Sequence, residues 1–161
     1  MPKLEAVMCC PWPDDLLQMS AAKTAWTMTT PLGKPLKKKN MMEIMGAHQI
    51  PYAASACSCF PDDLRSKIRK AKKIRGTKYI HILSPCPTGW RFSERLTPNV
   101  GRLAVETNYY PLYEIRNGKN YKITYESKGL PVGEYLMIQN RFKHLKDKEL
   151  ELIQQDVDRK Y

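Results

Sequence analysis

From residue 40 onward the apolar positions fall into short regular groups. Asn40 stands ahead of Met41, Ile44 and Met45 at helical spacing, so a capped helix is expected over about 40–47. Residues 50–57 are a compact run of apolar and small side chains, the pattern of a buried strand. Pro61, Asp62 and Asp63 then open a helix, with their carboxylates at its positive end. Leu64, Ile68, Ala71 and Ile74 follow as one core-facing stripe, and Gly76 is its expected stop. Residues 79–83 are apolar enough for a strand buried in a parallel sheet. A strand, a helix and a strand of these lengths make a βαβ unit.

A loop is expected over 84–94. Thr97, followed by Pro98, then caps a helix with Val100, Leu103, Ala104 and Thr107 inward. Residues 112–115 and 121–125 flank Asn117-Gly118, a pair that accepts positive φ and signals a hairpin. A short helix is expected within 130–138, and a charged one over 146–158 with Leu150, Ile153 and Val157 as a sparse apolar stripe. The first 38 residues are different. Pro2, Pro11, Pro13, Pro31 and Pro35 remove backbone donors and fix φ, leaving only about 15–25 for a helix and 26–30 for a short extended piece. The reading is thus an irregular segment over 1–38, an α/β region over 39–145, and a charged helix or tail over 146–161. Its fold class is α/β, a small mainly parallel sheet with flanking helices plus a C-terminal β-hairpin.

Composition narrows the class. With 42% apolar residues in 161, the chain can bury the core of one ordinary domain. No apolar run reaches the roughly 18 residues of a membrane span, and no secretory signal is evident, so neither membrane insertion nor export is expected. Lys and Arg number 27 against 16 Asp and Glu, a net charge of +11. Such an excess suits phosphate, an acidic protein or plain solvation; without a recognisable motif, nucleic-acid binding is not expected. Five cysteines cannot all pair within one chain, which points to a reducing, cytoplasmic setting. Cys9 and Cys10 are adjacent, and Cys57 and Cys59 are one residue apart; neither spacing makes a complete metal site. His48, His81 and His144 have no carboxylate partner by spacing, so a structural role is read for them, with His144, in a basic tail segment, expected to be exposed. From 64 to 78 there is no acidic residue, so this helix could steer an acidic partner. Reversing Lys70 and Lys73 would test that.

The most informative stretch is HILSPCPTGWRF, 81–92. Cys86 lies between two prolines directly after a strand, where α/β sheets carry their ligand sites. Taken alone, the residues leave two readings: a metal or redox thiol on a stiff loop, or a small buried hydrophobe, the commoner case.

The chain resembles the C-terminal part of the β subunit of 2-oxoacid:ferredoxin oxidoreductases, the pyruvate synthase (pyruvate:ferredoxin oxidoreductase) family. The resemblance rests on AWTMTTPLGK (25–34), KKKNMMEIMGAHQIPYAASA (37–56), YIHILSPCPTGWRF (79–92), RLAVETNYYPLYEIRNGKNYKITY (102–125) and PVGEYLMIQNRFKHL (131–145). It implies part of a thiamine-diphosphate-binding fold. It also implies CoA-dependent oxidative decarboxylation of a 2-oxoacid, with sister subunits and ferredoxin as partners. Thiamine diphosphate, Mg²⁺ and a [4Fe–4S] cluster are the family's cofactors, and Cys86 matches a cluster ligand. The family's Gly-Asp-Gly segment for the magnesium diphosphate has no counterpart, since no Gly-Asp pair occurs here. No catalytic or diphosphate-binding residue is therefore assigned. The chain reads as truncated at its N-terminal side and inactive alone. The alternative is a non-catalytic remnant, or a basic binding module that keeps the fold without cofactor.

Overall fold

A computed structural model describes residues 4–8 and 39–159, which divide into two compact units. The expected helix at 15–25 and extended piece at 26–30 lie outside the described residues.

The first unit is built on residues 4–8, 40–84 and 110–126. Its strands are β1 (Leu4–Met8), β2 (Tyr52–Cys57), β3 (Lys78–Leu83), β4 (Tyr113–Arg116) and β5 (Asn120–Ile123), in the order β1-β3-β2-β4-β5. Two pairings, β1 with β3 and β3 with β2, are parallel. The other two, β2 with β4 and β4 with β5, are antiparallel. The sheet is thus mixed rather than mainly parallel, because the hairpin joins the free side of β2 instead of standing apart. Leu4–Met8 is also ordered as an edge strand inside the segment expected to be irregular. It lies between Pro2 and Pro11, so the prolines bound the strand without interrupting it.

Two helices cover this sheet, α1 (Met41–Ala47) and α2 (Pro61–Lys73). Asn40 caps α1 as expected, its side-chain oxygen accepting the Glu43 N–H at 3.3 Å. Met42 of α1 packs with Ile50, Ala53, Tyr79 and Ile115. Ala71 of α2 packs with Tyr52, Ala54, Ala56 and Ile80, flanked by Leu64, Ile68 and Ile74. Alternate residues of β2 and β3 therefore serve opposite faces, each face with its own helix. Alanines at 53, 54 and 56 keep both faces of β2 low, so each helix can approach the backbone closely. The turn into β3 uses Gly76 at φ +98°, where a Cβ would come within 2.9 Å of Pro51. The hairpin turns through Asn117 and Gly118, both at positive φ.

The second unit comprises residues 85–109 and 127–159. It is helical: α3 (Pro87–Trp90), α4 (Thr97–Glu106), α5 (Val132–Met137) and α6 (Asp147–Asp158), with 3-10 turns at Glu94–Leu96 and Asn140–Phe142. The expected loop at 84–94 thus holds a helical turn. Thr97 is not the cap of α4 but its first residue, and its hydroxyl donates to the Glu94 carbonyl at 2.6 Å. Val100, Ala104, Val132, Tyr135, Leu136 and Phe142 are buried. The Gln154 side chain on α6 accepts the Val132 N–H at 2.8 Å, tying α5 to α6.

Candidate functional site

Cys86 follows β3 by three residues and begins the turn that carries it. Its backbone is extended, Pro87 opens α3, and Cys86 serves as the helix cap. Proline at the first helical position loses no bond that the helix needs. The Cys86 carbonyl accepts the Trp90 N–H at 3.0 Å, and the Pro87 carbonyl accepts that of Phe92 at 3.2 Å. The Gly89 N–H points at Cys86 Sγ, 3.5 Å away. Backbone donors of this kind are the contacts that ligating sulfurs receive. Gly89 leaves that flank of the sulfur bare, for a Cβ there would lie 3.5 Å from it. Arg91 ends the turn in the left-handed region at φ 57°. The thiol is half-buried, so it is neither sealed in the core nor loose in water.

A buried cation stiffens this turn. The Arg141 guanidinium lies over the Trp90 ring at 4.2 Å and over Phe142 at 4.7 Å. Its Nε donates to Gln139 Oε1 at 2.9 Å, and Gln139 Nε2 donates to the Tyr135 carbonyl at 2.7 Å. The Asn140 N–H also donates to the Arg91 carbonyl at 3.1 Å, joining the two turns directly. Burial pulls the Arg141 pKa below its ordinary value, while the Tyr135 and Tyr109 oxygens oppose the shift. Burial, with Tyr135 nearby, pushes the Tyr109 phenol up. Arg141 was not singled out from the sequence. Its signal is weak: one arginine in NRFKHL, with nothing local to mark it as buried.

Only His81 is packed as a structural histidine among the three. His81 is buried in β3 with its ring against Tyr79 and Tyr110, and its carbonyl accepts the Tyr110 hydroxyl at 2.8 Å. His48 is exposed at the end of α1, and His144 is half-buried where an exposed position was expected.

The basic helix divides in two. Lys67 is fully buried, its Nζ donating to Asp63 at 2.6 Å and to the Ser55 carbonyl at 2.7 Å. Lys70 donates to Glu114 Oε1 at 2.6 Å, and Glu114 is itself buried on β4. Arg65, Arg69, Lys72 and Lys73 remain exposed. Lys70 is thus committed to the sheet, and its reversal would break an internal pair rather than report on steering.

Among the described residues, no three of His, Cys, Asp and Glu gather to hold a metal ion. The geometry at Cys86 suits one thiolate ligand of a larger set. No helix among the described residues is long and apolar enough to cross a membrane.

No family model matches the chain. Individual relatives do. It is 47% identical over 142 residues to pyruvate synthase subunit PorB of Methanocaldococcus jannaschii, covering 84% of this chain and 47% of the relative. It is 43% identical over 141 residues to ketoisovalerate oxidoreductase subunit VorB of Pyrococcus abyssi, covering 83% and 45%. Pyruvate synthase subunit PorB of Methanothermobacter marburgensis is 46% identical over 140 residues, with 83% and 48% covered. The chain spans about half the length of these relatives.

Proposed function

This chain belongs, over the stretch it shares with its relatives, with the β subunits of 2-oxoacid:ferredoxin oxidoreductases, and we propose that it works as part of such an enzyme. The reaction proposed is CoA-dependent oxidative decarboxylation of a 2-oxoacid, with electrons passed to ferredoxin. Pyruvate synthase and ketoisovalerate oxidoreductase subunits match it at similar identity, 47% and 43%, so the proposal stops at the 2-oxoacid class. Thiamine diphosphate, when bound, supplies the decarboxylation chemistry, and a [4Fe–4S] cluster supplies one-electron steps.

This chain's own share is narrower. Cys86 offers one thiolate to a cluster whose other ligands come from elsewhere. Prolines on both sides and the Arg141–Trp90 stack hold that thiolate in one direction. The diphosphate and its magnesium are left to other polypeptide, and the chain alone is expected to be inactive. The observation that carries the reading is the half-buried Cys86 sulfur facing a backbone N–H on a proline-bounded turn.

The test is Cys86→Ser in the assembled enzyme. Iron content and the cluster's electron paramagnetic resonance signal should drop, and ferredoxin reduction should fall by at least about 100-fold, as for loss of an essential group. Full iron occupancy with an unchanged signal would return Cys86 to the role of a packed hydrophobe.

A further inference from the structure

Cys57 and Cys59 play no part in the reading above, yet their turn places two sulfurs together. β2 ends on Cys57, whose carbonyl accepts the Phe60 N–H at 3.0 Å and closes a four-residue turn. The Ser58 N–H donates to the Leu83 carbonyl at 2.9 Å, so the turn is pinned to the end of β3. The Phe60 ring meets Tyr125 edge-on at 4.8 Å, which fixes the turn's far side. Cys57 and Cys59 are thus the first and third residues of a rigid turn. Two virtual bonds of about 3.8 Å, bent by such a turn, bring their Cα atoms to about 5.5 Å. That lies inside the roughly 4.4–6.8 Å window of a disulfide. The two thiols lie close enough to interact, and that interaction, and then burial, push the Cys57 thiol above its ordinary range. The accessibilities differ too, Cys57 being fully buried and Cys59 half-exposed.

We propose that Cys57 and Cys59 form a dithiol modification site that a small-molecule disulfide oxidises to an intra-turn disulfide. The Cys59 thiolate attacks one sulfur of the oxidant, forming a mixed disulfide and expelling a thiolate. Cys57 sulfur then attacks Cys59 Sγ, and the second oxidant thiolate leaves with the Cys57 proton. Two protein thiols lose two electrons, and one small disulfide becomes two thiols. A dithiol reductant reverses the reaction. The division of labour follows exposure: Cys59 is the sulfur that a reagent reaches, and Cys57 resolves.

The experiment uses the full chain, purified reduced and exposed to oxidised glutathione. Tryptic cleavage after Lys39 and Arg65 releases residues 40–65, whose only cysteines are 57 and 59. The expected product is that peptide lighter by about 2 Da, the two hydrogens lost on closure, with its mass restored by dithiothreitol. In the reduced native chain, iodoacetamide should label Cys59 at least about tenfold faster than Cys57, as its exposure dictates. Cys57→Ser should stop at a glutathione adduct on Cys59. If the peptide keeps two alkylatable thiols under conditions that oxidise free dithiothreitol, the proposal fails. Equal labelling of the two cysteines in the native chain would also overturn it. Both readouts are taken on the unmutated chain, so a misfolded variant cannot blur them, and neither depends on the role of Cys86.

Discussion

Glu114 shows what single residues do in this fold. Its carboxylate is buried on β4, where it receives Lys70 and lies against the Tyr52 phenol. Burial first, and then the Glu114 charge, push the Tyr52 pKa above the ordinary tyrosine value. The folded chain therefore keeps this proton above about pH 10, where an unfolded tyrosine loses it. Above that pH the folded state holds more protons, so stability falls as pH rises, by up to about 1.4 kcal/mol per pH unit. Tyr52→Phe removes this part of the alkaline loss. Urea unfolding compared between about pH 9 and pH 11 should show a smaller drop for the variant, and equal drops would refute the assignment. Lys67 makes a different point. Removing one partner of a buried ion pair costs about 3–5 kcal/mol, but Asp63 keeps 16% exposure and can rehydrate. Lys67→Met should therefore cost nearer 1–3 kcal/mol, read from the same urea titration.

Regular elements were legible where a period ran long enough. The stripe Leu64, Ile68, Ala71 and Ile74 foretold which side of α2 meets the sheet, and Asn40 foretold the start of α1. The same period carried a signal that was passed over. Position 67 lies three residues beyond Leu64 and four before Ala71, so its side chain had to point inward despite its charge. Two short elements left no period to read. α3 has four residues, and β1 is a five-residue strand whose pairing, among the described residues, comes from β3, over seventy residues away. The mixed sheet was hidden for a related reason: Asn117-Gly118 announces a hairpin but not which edge receives it. Gly118 does foretell its own test. A Cβ there would collide with the Gly46 carbonyl and lie 2.9 Å from Gln49 Cα, whereas at Gly129 nothing lies within 4 Å. Both glycines have positive φ, so alanine at either adds backbone strain of about 1–2 kcal/mol. Gly118→Ala should cost at least about 1 kcal/mol more than Gly129→Ala, the difference being displaced backbone. Similar thermal unfolding temperatures for the two would show that α1 yields without penalty.

The charge of the whole chain, +11, is not spread evenly. α2 concentrates it, but only the cations that face water can act at a distance. Lys67 and Lys70 are spent on Asp63 and Glu114, and Arg65 pairs with Asp62 at 3.2 Å, leaving Arg69, Lys72 and Lys73. If these steer an acidic electron acceptor, Arg69→Glu with Lys73→Glu should raise the KM for ferredoxin several-fold at low salt. The difference should fade near 0.5 M salt, where the screening length is about 4 Å, and leave kcat unchanged. No change at low salt would reduce the face to solvation. The turn that carries Cys86 was legible in a similarly partial way. Its proline frame could be read from the chain, but Arg141, more than fifty residues later, reaches Trp90 only through folding. The sheet itself carries a last consequence. Among the described residues β5 is its outermost strand beside β4, all four of its residues are exposed, and Tyr121 and Ile123 stand 61% and 59% open. Such a strand is a template: a second chain aligned along it gains a hydrogen-bonded ladder and apolar cover in one step. Concentrated solutions of the chain by itself should therefore cloud by edge-to-edge seeding. Ile123→Lys should keep them clear, which light scattering would register within a single dilution series.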